Sequence, residues 1–420
     1  MIGEIIAIGD ELISGRILNT TSGFAARKLF DAGHTIHAMS TIGDTPSLIG
    51  EALLRAIDRV DFIIVTGGLG STDDDITNEA VSHALNRPTM PDLKILAWIR
   101  EHLGRNQVSP NNPLEKLAWL PGGAEAFDPE SRIAGYQLIH DDTPIFFLPG
   151  VPDEMMDLMS RIVLPKLAAW QEGASLQTLQ RIYKVFALAE SEINRKINKL
   201  NLPESIKIGY YPVYPDVHVS VLIREQDRES GPRDFEFACS ELEKALGISI
   251  YGMDNDELEG VVGDLLRSSG LNLSIAESCT EGLMSHRITR IPGSSDYFSG
   301  GAVTYANALK EELLGVSAAT LIDFGAVSEE TALAMAEGIR HRCRSDIGMS
   351  ITGIAGPDGG SSEKPVGTVY VGISHPGDST AKRLNLAGNR TRIQSMATQT
   401  GLNMLRLFLL KQNKSSRNRP

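Results

Sequence analysis

Cysteine is scarce in this sequence: Cys239, Cys279 and Cys343 are the only three in 420 residues, far apart and odd in number. That excludes a disulfide framework, and the lack of any C-x-x-C pair argues against a structural zinc site. Basic charge is also short. Forty Lys and Arg face 53 Asp and Glu, a formal net charge of −13, which argues against a surface built for bulk DNA or an anionic membrane. Small phosphate ligands are still allowed, because glycine loops and helix N-termini hold them without net basic charge. No apolar run approaches the roughly 18 residues needed to cross a bilayer. The opening MIGEIIAIGDELISG has no basic leader and reaches acidic residues at once, so it does not read as a signal peptide, and the chain reads as cytoplasmic. What is present is ordinary globular material, 42% hydrophobic and 22% charged. At about 150 residues per domain this makes two or three domains.

Patterning divides the chain into residues 1–170, 171–253 and 254–412, with a polar, basic tail at 413–420 expected to be disordered. In the first block, buried strand-like runs (Ile2 to Ile8, His34 to Thr41, Asp61 to Thr66, Pro144 to Leu148) alternate with helix-like ones (Asn19 to Ala32, Pro46 to Arg59, Thr77 to Leu85). That repetition predicts an α/β fold with a mainly parallel sheet covered on both faces. Ligands in such folds sit beyond the carboxyl ends of the strands, where the glycine-bearing loops at Gly9, Gly67 to Gly70 and Pro149-Gly150 fall. The second block reads as a small α+β module. It carries 10 Lys/Arg against 12 Asp/Glu, so it has no basic face by composition. The third block returns to strands and helices: Leu271 to Ala276, Gly300 to Tyr305, Asp346 to Thr352 and Gly367 to Ile373 as strands, Glu257 to Ser269, Ser328 to Arg342 and Arg390 to Lys411 as helices.

Three segments of the third block carry chemistry. AESCTEG (Ala276 to Gly282) sits at a strand-to-helix turn, where small polar side chains and backbone amides face a ligand; an ordinary Ser/Thr N-cap is the alternative. GGAVTYANALK (Gly300 to Lys310) and TGIAGPDGG (Thr352 to Gly360) followed by KPVGTV (Lys364 to Val369) are glycine- and proline-rich loops. A flexible hairpin is the alternative there. No G-x-S-x-G elbow is present.

Together with GAVS (Gly325 to Ser328), these segments resemble nearly letter for letter the C-terminal domain of the CinA (competence/damage-inducible) family. That domain also occurs alone as the PncC type of nicotinamide mononucleotide deamidase. The resemblance implies hydrolysis of the carboxamide of nicotinamide mononucleotide (NMN) to nicotinic acid mononucleotide and ammonia, without a cofactor. It implies Ser278 as nucleophile with Lys310 and Tyr305 as partners. Substrate would be held by Cys279, Thr280, Gly301, Thr352, Gly353, Ala355 and Gly356, and helix N-terminal amides near Cys279 and Thr280 would form an oxyanion hole. The chemistry is coherent: a serine hydroxyl needs a base, and a lysine serves if burial lowers its pKa. Cys279 is the rival nucleophile. One departure stands out: the family pattern has glycine where this chain has Glu281, a carboxylate that would repel a substrate phosphate or raise the lysine pKa unless it faces solvent.

The first block resembles the MoaB/MogA-like, molybdopterin-binding fold of the family's N-terminal half. The matching pieces are GDELISG (Gly9 to Gly15), Asn19-Thr20, GGLGSTDDDIT (Gly67 to Thr77) and PGVPDEM (Pro149 to Met155), with a weaker match from Asn112 to Ala118. A nucleotide site is implied at Gly9, Asp10, Glu11, Asn19, Gly67, Gly68, Gly70 and Thr72. Asp10, Asp73, Asp74 and Asp75 supply oxygen ligands for a divalent metal ion of the Mg, Mn or Co kind, against the alternative of an acidic helix cap. The family resemblance adds ADP-ribose pyrophosphatase activity to the expectation, aided by a divalent metal and a monovalent cation. The middle block resembles the family's KH-like insert but has no G-x-x-G clamp, so a spacer or dimer module is favoured over nucleic-acid binding. The expected partners are NMN, ADP-ribose and a second copy in a homodimer, with no membrane. Two other readings stay open: a non-catalytic nucleotide or pterin sensor, and a competence-associated adaptor.

Overall fold

The computed structural model describes residues 1–102, 113–129, 134–170, 177–225 and 230–417. The chain separates into two compact units, Met1–Thr178 with Arg224–Gly231, and Leu179–Ile223 with Pro232–Pro420. The middle block thus shares a unit with the C-terminal block.

The first unit is built on a six-stranded sheet. Its strands are β1 (Ile2–Ile8), β2 (Thr35–Ile42), β3 (Phe62–Thr66), β4 (Glu125–Ala126), β5 (Tyr136–His140) and β6 (Thr143–Leu148), in the order β2-β1-β3-β6-β5-β4. The first four run parallel, with Ile5 opposite Ile64 and Ile64 opposite Phe146, and the β5 and β4 edge is antiparallel. Side chains alternate across the sheet. Ile6, Ile63, Val65 and Phe147 pack with Ile49, Leu53 and Val81 of the helices Pro46–Ile57 and Thr77–Ala84. Ile5, Phe62, Ile64 and Phe146 pack with Ala25 and Leu29 of Thr20–Asp31 on the opposite face. Continuous apolar runs in the central strands follow from this two-sided burial.

In the second unit the middle module has the strands β7 (Gln177–Val185), β8 (Lys207–Val213), β9 (Asp216–Glu225) and β10 (Ile250–Met253), ordered β8-β9-β7-β10. Helices Glu190–Ile197 and Ser230–Leu246 supply Ile193, Ile197, Phe235 and Leu242 to its core. The C-terminal sheet has β11 (Leu273–Glu277), β12 (Phe298–Val303), β13 (Ile347–Gly353), β14 (Thr368–His375) and β15 (Asp378–Asn385), ordered β12-β11-β13-β14-β15. The first three are parallel and the last two antiparallel. Helices Leu258–Ser269 and Arg390–Arg417 cover one face through Val262, Leu266, Leu402 and Leu405, and Glu329–Cys343 covers the other through Met335 and Ile339.

Two expectations need correction. The tail does not loosen at Asn413: the last helix continues to Arg417, and Asn413 accepts a hydrogen bond from Ser269 Oγ at 2.9 Å. Residues 418–420 lie outside the described residues, as does Asn112. The helix after AESCTEG starts only at Leu283, so the small polar residues form a turn before it. Among the described residues, no helix is long and apolar enough to cross a membrane.

Candidate active site

Ser278 follows directly on β11. Its N–H donates to Ile351 O at 2.9 Å, while Thr304 N donates to Glu277 O at 2.8 Å. Ser278, Thr304 and Thr352 therefore gather at the carboxyl edge of the parallel strands. Between Ser278 and the next helix the chain makes a turn with positive φ at Glu281 (59°) and Gly282 (91°). The turn is built on Glu277, a fully buried carboxylate. It accepts from Thr280 Oγ1 at 2.7 Å, Met284 N at 3.0 Å, Ser285 N at 2.8 Å and Ser285 Oγ at 2.7 Å. The first amides of the helix thus belong to Glu277. Among the described residues, the N–H groups of Cys279 and Thr280 have no acceptor beyond the Cys279 thiol.

Lys310 rises from the helix Asn307–Leu314 and is 1% exposed. Its Nζ lies 2.7 Å from Thr304 O, 3.2 Å from Tyr305 O and 3.3 Å from Ser278 Oγ. Burial lowers its pKa from the ordinary 10.5 by penalising the charged form. A neutral amine has two N–H donors and one lone pair. In that form, with the donors on the two carbonyls, the lone pair would face the serine hydroxyl. Tyr305 meets this lysine through its backbone carbonyl, not its ring. The ring is 61% exposed, and its hydroxyl interacts with Arg390.

Cys279 is buried in the apolar core, and burial pushes its thiol up to about 12. A thiolate there is costly, and the side chain acts as packing. The other expected residues are largely committed to the fold. Thr280 spends its hydroxyl on Glu277, and Thr352 Oγ1 donates to Ala326 O at 2.7 Å. A Cβ on Gly301 would meet Ser285 Oγ at 2.7 Å, and one on Gly353 would meet Val369. Ala355 is buried. Gly356 O accepts from Arg390 Nη1 at 3.0 Å.

Sequence reasoning passed over Glu277, Arg390 and Gln394. Arg390, at the start of the last helix, also ion-pairs with Glu281 and holds its carboxyl below the ordinary range. Gln394 Nε2 donates to Cys279 O at 2.8 Å. These two residues pin the loops that flank Ser278. Nothing in the local pattern marks them, although Arg390 and Gln394 are four apart and so share a helix face.

In the first unit, Gly9, Glu11, Asn19, Gly67, Gly68 and Gly70 line a cavity of about 500 Å³ with Asp44, Asp74 and Asp75. Gly67 has φ 99°, and a Cβ there would meet Ile8 O at 2.1 Å, so only glycine lets the loop pass β1. Asn19 caps the helix Thr20–Asp31 through Ser22 N at 3.0 Å. The four carboxylates expected to hold a metal do not converge. Asp10 accepts from Asp44 N at 3.1 Å. Asp74 and Asp75 both accept from Thr72, while Asp73 is exposed. Among the described residues, no group of three or more His, Cys, Asp or Glu is placed to hold a metal ion. The expected ligand set does not fit as placed.

Comparison with known proteins matches three segments of the chain to family models. Residues 4–169 match the family model "Probable molybdopterin binding domain", 180–252 "Damage-inducible protein CinA KH domain" and 255–409 "CinA C-terminal domain". A CinA-like protein of Desulfotalea psychrophila is 52% identical over 97% of this chain and 99% of its own length. One from Syntrophobacter fumaroxidans is 40% identical over 96% and 95%. The crystal structure of competence/damage inducible protein CihA from Agrobacterium tumefaciens is 42% identical, covering 36% of this chain and 93% of its own, with a TM-score of 0.35. With relatives matched end to end at this identity, the chain belongs to the CinA family.

Proposed function

We propose that the C-terminal domain is an amidohydrolase that converts NMN and water to nicotinic acid mononucleotide and ammonia. The observation that carries this reading is the buried contact of Lys310 Nζ with Ser278 Oγ at 3.3 Å. Neutral Lys310 takes the serine proton as Oγ attacks the carboxamide carbon. The N–H groups of Cys279 and Thr280 face the oxygen that gains charge. The lysine returns the proton to the nitrogen, the C–N bond breaks and ammonia leaves. Water then attacks the acyl-serine ester, giving its proton to Lys310, and Ser278 is regenerated as the acid departs.

The experiment is ammonia release from NMN by the purified full chain in the presence of a chelator. Steady multiple turnover is expected, and Ser278→Ala and Lys310→Ala each lower kcat by about a thousandfold or more with the fold intact. Near wild-type turnover by either variant would sink the Ser–Lys assignment. Tight NMN binding by folded wild type without turnover would favour the sensor reading. For the first unit, the glycine-lined cavity supports binding of a phosphate-bearing nucleotide such as ADP-ribose. Cleavage of its pyrophosphate is a separate assay, run with added Mg, Mn or Co.

A further inference from the structure

The middle module has no nucleic-acid clamp, yet it grips the helix that frames the active site. Three residues of Arg390–Arg417 spaced by seven, Arg392, Gln399 and Arg406, lie on one face of that helix and all meet the module. Tyr214 Oη, at the tip of the β8–β9 hairpin, donates to Arg392 O at 2.8 Å, and the Arg392 guanidinium lies 3.8 Å over the Tyr214 ring. Asp216 accepts from Gln399 Nε2 and from Tyr251 Oη, both at 2.7 Å. Arg406 donates to the carbonyls of Ile248 and Ile250. In the first turns of the same helix, Arg390 and Gln394 hold Gly356 O, Glu281 and Cys279 O. The Tyr214 contact therefore lies two residues along the helix from Arg390 and two before Gln394.

We propose that Tyr214 is a positioning residue for the C-terminal site: the middle module fixes the start of the last helix and thereby the two loops beside Ser278. This rests on the deamidase reading for its kinetic consequence only. Ser278 and Lys310 are themselves held by β11, by the Thr304–Tyr305 turn and by the helix Asn307–Leu314, none of which Tyr214 touches. Loosening the last helix should therefore disturb the Cys279–Thr280 amides and the Gly356 loop without changing the protonation of Lys310.

The test uses the full chain as wild type, Tyr214→Ala and Tyr214→Phe. Tyr214 is 39% exposed, so both variants should fold. Tyr214→Ala is expected to lower kcat/KM for NMN by about tenfold, the loss of one hydrogen bond and one cation–π contact. The pH at which the rate rises stays unmoved, and amide exchange speeds up at Glu281 and Ile354, the loop N–H groups held by Ser278 O and Thr368 O. Tyr214→Phe keeps the ring under Arg392 and recovers most of the loss. A shifted pH limb or an equal fall in thermal stability for both variants marks general loosening and overturns the proposal. So does unchanged exchange in both loops. Exchange needs no turnover: if wild type releases no ammonia, the deamidase reading fails while the coupling is still decided.

Discussion

In the proposed reaction Lys310 carries the chemistry because of what surrounds it. It has three oxygen neighbours, enough for an ammonium, but among the described residues it has no carboxylate partner. Burial then shifts the balance towards the neutral amine. The rate of deamidation should rise with pH through an ionisation below 10.5, the ordinary lysine value. Stability follows the same sign. Between the lowered folded value and the ordinary one the unfolded chain binds more protons, so stability rises with pH across that window. Urea unfolding at several pH values checks this, and Lys310→Met should flatten the slope. Glu281 does not act on this lysine, because its carboxylate is drawn to Arg390. Glu281→Gln should therefore leave the pH limb of kcat/KM in place, and a shift of a full unit would show that the carboxylate reaches Lys310 after all. That Ser278 and Lys310 belong to one site was an expectation from their motifs, and the two side chains do meet. Glu277 was not legible, because its partners are backbone amides that exist only once the turn has formed.

The elements most legible in sequence were those buried on both faces. Runs such as Phe62–Thr66 and Thr143–Leu148 are buried throughout, and the ends of the strands read from the pattern shift by no more than two residues. The edge strands Glu125–Ala126 and Asp378–Asn385, and Tyr136–His140 beside the first of them, were not read as strands. Asp378–Asn385 is mostly exposed and polar, so no apolar alternation marks it. The start of Leu283–Thr289 was missed for a related reason: the cap comes not from a Ser or Thr just ahead but from Glu277 at the end of the preceding strand. That cap should be worth measuring. Glu277→Gln exchanges one accepting oxygen for an NH2 group that faces donors, leaving buried N–H and O–H groups unpaired. At charge-assisted strengths this costs about 3 kcal/mol in urea unfolding. Turnover should fall with it, since Ser278 adjoins the same turn. A stability loss below about 1 kcal/mol would mean that the helix start is held by other contacts.

At the scale of the whole molecule, the two compact units have separate cores, and the two glycine-rich clefts draw on different strands. A net charge of −13 gives neither cleft a broad basic field. Phosphate recognition then has to come from local amides and single side chains, which act over a few ångströms rather than across the molecule. Independence follows as the expected behaviour. In Ser278→Ala and Lys310→Ala the affinity of the first unit for ADP-ribose, read by titration calorimetry, should match wild type within about twofold, since a tenfold change amounts to about 1.4 kcal/mol of coupling between sites. The middle module makes the comparison sharper, because it belongs to the second unit and contacts the last helix there. Tyr214→Ala should also leave ADP-ribose affinity alone. A tenfold change in any of the three variants would show that the clefts are linked, and saturating NMN would then have to shift ADP-ribose affinity by the same factor that ADP-ribose shifts NMN affinity, because coupling between binding sites is reciprocal.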